Sequence, residues 1–548
     1  MSGRGGKPSW KLRPPIDAAT QGLVVTGFGS LEFGWAVFIE LTGQGADWLR
    51  ALREVAPITS AVPPGGPEAR PGRAAAIAFT WTGLQRTGLE EAALASFSRP
   101  FREGMMQEDR LRRLGDRRED SWLETVIEGG PHWSGNTPPP EREAAQGRTA
   151  AFDVPVSDPG HPVPRTPKTA HALLLLYARD EADARDWRDE VGETLAPHGG
   201  RIVHSLPLVL DPNHIGVSSE HFGFADGLSQ PEPYDDDAVT VEGVPAKRDE
   251  LQGVPLGEFL IGYPNGHQEP APGPVVPGRE SDGRPADAKL PPHARAEGFF
   301  DLGLNGSYMV VRELKQDVAA FWNSMYDNAS HIKAEDPGNS GHIDAEWIAE
   351  RVIGRNRDGH LLCTPAGRYR DPLPGGAPDN AFRFSRSDPH GVGCPPGSHV
   401  RRANPRDALT PIPIGRDGFP DPGKVTDDAR EALLRAANNH RILRRGRKFG
   451  PKIADEREPD GKDRGLLFVC LNTDIARQFE FVQQTWLLNR DFDTLHGEVD
   501  ALVGPAGPMT IREEPLRRTV NVKTFVQMAG GEYFFLPSLP ALDYLALL

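Results

Sequence analysis

His221-Phe222-Gly223-Phe224-Ala225-Asp226-Gly227-Leu228-Ser229-Gln230-Pro231 is the stretch around which the chain is organised. One carboxylate, Asp226, stands between two glycines in a segment too rich in turn formers for a helix. Glycine on both sides lets the backbone take left-handed conformations and approach a bulky ligand closely. Phe222 and Phe224 supply an apolar wall, and desolvation by such a wall raises a neighbouring carboxyl's pKa. A lone carboxylate in a dry pocket is suited to proton transfer. The same letters, taken bare, also spell an ordinary Asp-Gly turn.

At 548 residues the chain is too long for one small domain, and two domains are expected. Hydrophobic residues make up 38%, charged residues 25%, and the mean hydropathy is −0.47, the balance of a soluble globular protein. With 60 Gly and 53 Pro, loops must be long and numerous. The net charge of −15 argues against nucleic acid or an anionic membrane as partner. Cys363, Cys394 and Cys470 lack C-x-x-C spacing, so no disulfide framework, zinc ribbon or iron–sulfur cluster follows, and a reducing compartment is expected. The opening MSGRGGKPSWKLRPPIDAATQG has neither an apolar core nor a twin arginine, and runs such as Leu173 to Ala178 are too short to span a bilayer. The expected location is the cytoplasm.

Residues up to about Thr20 read as a flexible tail. Strands are expected over Leu23 to Thr42, Ala74 to Trp81, His171 to Tyr177 and Arg201 to Leu210, with helices over Ala46 to Val55 and Glu181 to Leu195. The second half runs in the same order. Strands are expected at Gly306 to Arg312, Arg464 to Leu471 and Glu532 to Leu536. Helices are expected at Lys315 to Tyr326, Ile343 to Ile353 and Asp474 to Leu488. Gly129 to Thr166 reads as a long loop, and the proline-dense Gln268 to His293 as the linker. The residues alone therefore imply two α+β domains with antiparallel sheets, each in a β-α-β-β-α-β order. Their bounds are 21–267 and 295–548, joined through 268–294.

The wording of the opening stretch is more specific than its spacing. Gly223-Phe224-Ala225-Asp226-Gly227 followed by Ser229-Gln230-Pro231 resembles the Gly-x-x-Asp-Gly signature of the dye-decolourising haem peroxidases. Ala78-Phe-Thr-Trp-Thr-Gly-Leu84, Gly257-Glu-Phe-Leu-Ile-Gly-Tyr-Pro264, Gly306-Ser-Tyr-Met-Val-Val-Arg312 and Gly531-Glu-Tyr-Phe-Phe-Leu-Pro-Ser538 extend the resemblance from about residue 20 to the end. It implies two ferredoxin-like domains of the dimeric α+β barrel kind enclosing one haem b. Gly227, Ser229 and Gln230 would then lie against that cofactor.

A haem iron needs a protein ligand, and histidine serves in peroxidases. Of 16 histidines, His399 in Pro396-Gly-Ser-His-Val-Arg-Arg-Ala-Asn-Pro-Arg406 falls on the family's ligand position, with His390 and His440 as alternatives. By the same resemblance Arg406 pairs with a propionate, for which a bidentate guanidinium is suited. Asp500 is the candidate acceptor for the far N–H of the ligand histidine. Arg444, in the basic run His440 to Pro451, matches the family's distal arginine, with Arg445 as fallback. Such a cation stabilises negative charge on a leaving oxygen. Alternation in Gly465-Leu-Leu-Phe-Val469 puts Leu466 and Phe468 on one face, where the resemblance implies they cover the distal side of the haem.

The expected activity is reduction of hydrogen peroxide coupled to one-electron oxidation of dyes, phenolics or other small reductants. Asp226 moves the proton and Arg444 stabilises the charge. Bulky substrates would need a surface Trp or Tyr relay, and among ten Trp and eight Tyr none is singled out. Two other readings compete. A haem-storage or iron-release module needs the histidine but not Asp226 and Arg444 together. A haem-free hydrolase finds no Gly-x-Ser-x-Gly, His-Glu-x-x-His or phosphate loop.

Overall fold

The computed structural model describes residues 12–62, 72–136, 167–212, 217–235, 249–278, 290–362, 380, 382–416, 418, 421–513 and 516–548. Cys363, most of the 129–166 loop, the start of the expected tail and the middle of the expected linker lie outside them.

Eight strands carry the fold: β1 (Phe33–Leu41), β2 (Arg73–Phe79), β3 (Ala172–Ala178), β4 (Gly200–Val209), β5 (Ser307–Gln316), β6 (Arg447–Phe449), β7 (Gly465–Asn472) and β8 (Val526–Leu536). In the first quartet the order is β4-β1-β3-β2, and in the second it is β6-β7-β5-β8, all antiparallel. Both are the ferredoxin-like arrangement. The quartets meet at two seams. Lys448 and Phe449 of β6 pair with Val209 and Leu208 of β4, and Phe535 of β8 pairs with Phe79 of β2. Two open sheets thereby become one closed barrel, which leaves no free edge among these eight strands.

Alternation explains how the barrel is filled. Leu173 and Leu175 of β3 join Phe38, Val311, Leu467, Val469 and Phe534 in one buried cluster, the barrel interior. Leu174 and Leu176 turn outward against Trp48, Leu52, Trp187 and Val191, which belong to helices α1 (Asp47–Val55) and α2 (Glu181–Leu195). Helix α2 lies along β1 and β3, so the first quartet is covered on both faces.

In the second quartet the helices stand elsewhere. Helix α3 (Val318–Glu335) packs with α4 (Ala345–Ile353) and a hairpin of Gly507–Glu513 with Leu516–Val522, around Phe321, Trp322, Ile348 and Val520. Helix α3 also begins later than its periodicity suggests. Lys315 and Gln316 stay in β5, and Asp317 caps the helix by accepting from Ala320 N at 2.9 Å.

Other boundaries shift for equally local reasons. Gly22–Val24 forms a tight turn rather than the start of a strand, and β1 begins at Phe33. The expected Asp474 to Leu488 helix is present as wide turns over Ala476–Glu480 and Val482–Leu487. Its backbone bonds, such as Glu480 N to Ile475 O, span five residues. The basic run His440 to Pro451, to which no element was assigned, contains strand: Leu443–Arg444 pairs with Leu471 and Cys470, and β6 closes a barrel seam. Within the stretch expected as linker, Val275–Pro277 pairs with Phe299–Asp301, and Val276 and Leu290 are buried in the first core. No helix among the described residues is long and apolar enough to cross a membrane.

Candidate active site

Between the outer face of the second quartet and its displaced helices lies a cavity of about 650 Å³. Its wall includes Asp226, Gly227, Leu228, Ser229 and Gln230 from the motif, Leu466 and Phe468 from β7, and Arg312, Leu314 and Gln316 from β5. His399 and Val400 of helix α5 (His399–Ala403) and the basic residues Arg441, Arg444, Arg445 and Arg447 complete it. Five stretches spread along the chain therefore converge on one space.

The motif is a small hairpin. Glu220 N donates to Phe224 O at 3.0 Å and Asp226 N to Ser218 O at 2.8 Å, with Ser219 bridged to Ala225. Gly223 sits at φ +98° and Gly227 at +73°, conformations that a β-carbon disfavours. Phe222 stacks on Phe321 at 4.5 Å and Phe224 on Trp322 at 6.2 Å. The aromatic pair thus anchors the hairpin in the α3 core, and only Phe224 also reaches the cavity wall. The carboxyl they were expected to desolvate is Asp226, whose Oδ1 accepts from Gly227 N at 2.6 Å and which is half-buried.

Ser229 and Gln230 hold arginines. Gln230 Oε1 accepts from Arg444 N at 3.1 Å, and Arg444 Nη2 donates to Leu228 O at 2.5 Å, so the guanidinium is latched to the motif loop. Ser229 Oγ accepts from Arg355 Nη2 at 3.0 Å. Arg445, the fallback, donates to the carbonyls of Leu23 and Val24, and Arg447 to those of Gly27, Phe28 and Leu31. These two tie β6 and its flank to the N-terminal turn. Burial lowers both, each to about 10.

On another part of the wall, Ser398 caps α5 and His399 is its first residue. Nδ1 of His399 lies 3.0 Å from Asp500 Oδ2, so Nδ1 carries the hydrogen and Nε2 is the ring nitrogen with its lone pair free. Asp500 is fully buried and also accepts from Leu502 N and Val503 N. Burial raises its carboxyl, but the His399 ring beside it and the backbone N–H groups outweigh that and hold it below the ordinary value.

The cations that follow His399 serve the fold. Arg401 donates to the carbonyls of Asp388 and Cys394, and Arg402 to those of Trp486, Leu487, Asn489 and Glu498. Arg406 departs from its expected place. Its Nη1 donates to Asn380 O and Phe382 O, its guanidinium stacks on Phe382 at 3.7 Å, and it is not among the cavity-lining residues. One layer in front of it, Arg355 stands on the wall. Its signal in the sequence was an arginine just past the Gly354 that ends α4, which a motif-led reading does not weigh.

Of the alternative histidines, His390 is exposed and off the cavity. His440 is on it, stacked on Phe481 at 3.7 Å with Nδ1 2.5 Å from Arg477 O, and burial lowers its pKa. It lacks the carboxylate that His399 has. Among the described residues no cluster of three or more His, Cys, Asp or Glu could hold a metal ion.

Leu466 and Phe468 face the cavity while Leu467 and Val469 fill the barrel. Arg441 was not anticipated. It is 5% exposed, donates through Nη2 to Ser229 O (2.7 Å) and Gln252 Oε1 (3.2 Å), and leaves Nη1 buried on the cavity wall with no hydrogen-bond partner among the described residues. Burial and the like charge of Arg444 push it down to about 9. A buried cation so placed is a receptor for an anionic group.

No family model matches the chain. A multifunctional dye peroxidase from Amycolatopsis is 29% identical over 396 residues, covering 68% of this chain and 70% of that protein. Dye-decolourising peroxidases from the fungi Mycetinis scorodonius and Mycena epipterygia are each 27% identical, over 74% and 60% of this chain and 71% and 57% of theirs. Among solved structures, a dye-decolourising-type peroxidase from Anabaena superposes with a TM-score of 0.64 at 21% identity, covering 98% of this chain and 99% of that one. A dye-decolourising peroxidase in complex with 2,6-dimethoxyphenol gives 0.65 at 23%, over 98% and 100%. The barrel of two ferredoxin-like quartets, the motif on its cavity wall and these relatives converge: the chain has the fold of dye-decolourising-type peroxidases and is similar in sequence to dye-decolourising peroxidases over about two thirds of its length.

Proposed function

We propose that the chain reduces hydrogen peroxide with one haem b bound in the cavity, at the expense of phenolic or dye-like reductants, with His399 as the iron ligand. The observation that carries this reading is the convergence of Asp226, Arg444 and His399 on one wall. The wall residues also fit the group. A flat dianionic macrocycle needs apolar cover, a nitrogen ligand and cations for its two carboxylates. Leu466 and Phe468 give the first, His399 Nε2 the second, and Arg441 and Arg355 the third. Arg406 supports them from behind through Ser229, 3.4 Å from its Nη2.

When bound, the haem supplies a redox-active iron that passes two electrons to peroxide and recovers them singly from the reductant. Asp226, as its carboxylate, takes a proton from one peroxide oxygen and returns it to the other, so that the departing oxygen leaves as water. Arg444 stabilises the negative charge that builds on that oxygen, and its bond to Leu228 O keeps it in position beforehand. Asp500 holds the His399 ring in one tautomer and increases its basicity. Overall, one peroxide and two phenols give two waters and two phenoxyl radicals. A haem-storage module would have no use for Asp226 and Arg444 on the same wall.

The test is an absorption spectrum of protein supplied with haem, for wild type and His399→Ala, followed by peroxide turnover. A Soret band in wild type that is lost or shifted in the variant, with turnover of 2,6-dimethoxyphenol by wild type alone, supports the reading. No band in wild type overturns it.

A further inference from the structure

The hairpin that carries Asp226 carries a second carboxyl. In its pairing Glu220 lies opposite Phe224 and Ser218 opposite Asp226. Side chains two residues apart share a face, so Glu220 and Asp226 occupy diagonal positions on the same face of the hairpin. Both line the cavity. Glu220 is not part of the reaction described above.

Its surroundings are unusual for a glutamate. Oε2 accepts from Phe222 N at 2.8 Å and from Gln316 Nε2 at 2.7 Å, and Oε1 accepts from Phe224 N at 2.9 Å. Among the described residues no cation forms an ion pair with it. Arg312, two pleats along β5, is committed to Asp116, and Arg357, against the hairpin, is committed to Glu456 and stacks on Trp322. Gln316 comes from β5 and is itself buried, and its Oε1 has no hydrogen-bond partner. An amide whose nitrogen is used and whose oxygen is idle can turn over to accept a hydrogen bond from a protonated Glu220. Burial raises Glu220 against the pull of the backbone N–H groups and Gln316, and Asp226 adds to the rise, so the group stands at about 7.

We infer that Glu220 is a proton store for Asp226, protonated when Asp226 is ionised and coupled to it across the cavity wall. The inference rests on the peroxidase reading. Reduction of one peroxide to two waters consumes two protons and two electrons, and oxidation of two phenols releases the same number of each. Once Asp226 has passed on the peroxide's own proton, Glu220 gives its proton through Asp226 to the second water as it forms and takes one back from each phenol oxidised. No net proton or electron is created.

The experiment reads the carboxyls directly and then the reaction. In infrared difference spectra of haem-loaded protein between pH 5 and 9, wild type is expected to show a protonated-carboxyl band that titrates near neutrality. That band should be missing in Glu220→Gln and still present in Asp226→Asn. Gln316→Leu, which removes a donor to the ionised form, should move the titration to higher pH. In kcat/KM for peroxide, the limb near neutrality should vanish in Glu220→Gln. A neutral-range band that survives Glu220→Gln, or wild-type and Glu220→Gln profiles that superpose, overturns the inference. Should Glu220→Gln fail to take up haem, an unchanged titration in Gln316→Leu does so equally. The infrared titration does not depend on turnover, so an Asp226→Asn variant with undiminished peroxide reactivity would sink the mechanism while leaving the Glu220 titration to be read.

Discussion

The two quartets of the barrel share one strand order and differ in what lies on their outer faces. β3 is buried along its whole length, its odd residues in the barrel and its even ones under α1 and α2. β7 buries Leu467 and Val469 the same way but turns Leu466 and Phe468 toward open space. The difference comes from the helices. In the first half α2 lies on its own sheet, whereas in the second α3 packs with α4 and the late hairpin. One topology thus yields a closed layer in one half and a cavity of about 650 Å³ in the other. Function sits where the covering layer has been moved aside.

The sharpest way to break this contrast is at the carboxylate that the motif hairpin places on the cavity wall. Asp226→Asn keeps the hairpin's size while removing the base. Its rate with peroxide, followed by stopped-flow absorption, is expected to fall by about 10²–10⁴-fold with the haem band retained. A loss below about tenfold would mean that the open face is a binding surface and not a reactive one.

A comparison within β7 tests the two faces against each other. Leu467→Ala removes a fully buried side chain from the barrel and should cost about 2–5 kcal/mol in chemical unfolding. Leu466→Ala, on the cavity face, should cost well under half of that in protein free of haem. Equal losses would show that the cavity collapses onto β7 when nothing fills it.

How much of this was legible beforehand follows from the same geometry. Alternation along β1, β3, β4 and β7 can be read in the sequence because one or both faces of each strand are packed, and burial leaves its mark as periodicity. The run from His440 to Pro451 could not be read that way. Arg445 and Arg447 look like a solvated face, yet Arg445 is half-buried and Arg447 buried, and each spends its guanidinium on backbone carbonyls of residues 23 to 31. Composition cannot distinguish a cation that meets water from one that meets carbonyl groups more than 400 residues away. His399 and Asp500 stand 101 residues apart and were joined only by the family resemblance. Arg355 and Arg441 went unnoticed because their placement is made by tertiary packing and not by a local pattern.

Arg444 carries the third test. Arg444→Leu removes the cation but preserves bulk beside Gln230, and kcat/KM for peroxide is expected to drop by about 10²–10³-fold. The companion Arg445→Leu should act mainly on stability, since its donors reach Leu23 and Val24. If Arg445→Leu reduced the peroxide rate as much at equal haem content, the assignment of the reactive arginine would move by one residue.

The smallest expected effect lies at Asp500, which touches no substrate. Asp500→Asn leaves one oxygen, which can still accept from His399 Nδ1 but then turns the amide NH2 toward Leu502 N and Val503 N, both of which donate to Oδ1 in the native protein. The negative charge is lost while the ring keeps its orientation, so haem affinity or turnover is expected to fall by about 10–100-fold, not to vanish. Two readings separate charge from geometry. A more positive iron reduction potential with an otherwise normal spectrum means that Asp500 acts by making the histidine more basic. A heterogeneous spectrum with an unchanged potential means that it acts by holding the ring still. In the second case the buried carboxylate would be a structural support, and the open half of the barrel would differ from the closed half by what it leaves uncovered more than by what it charges.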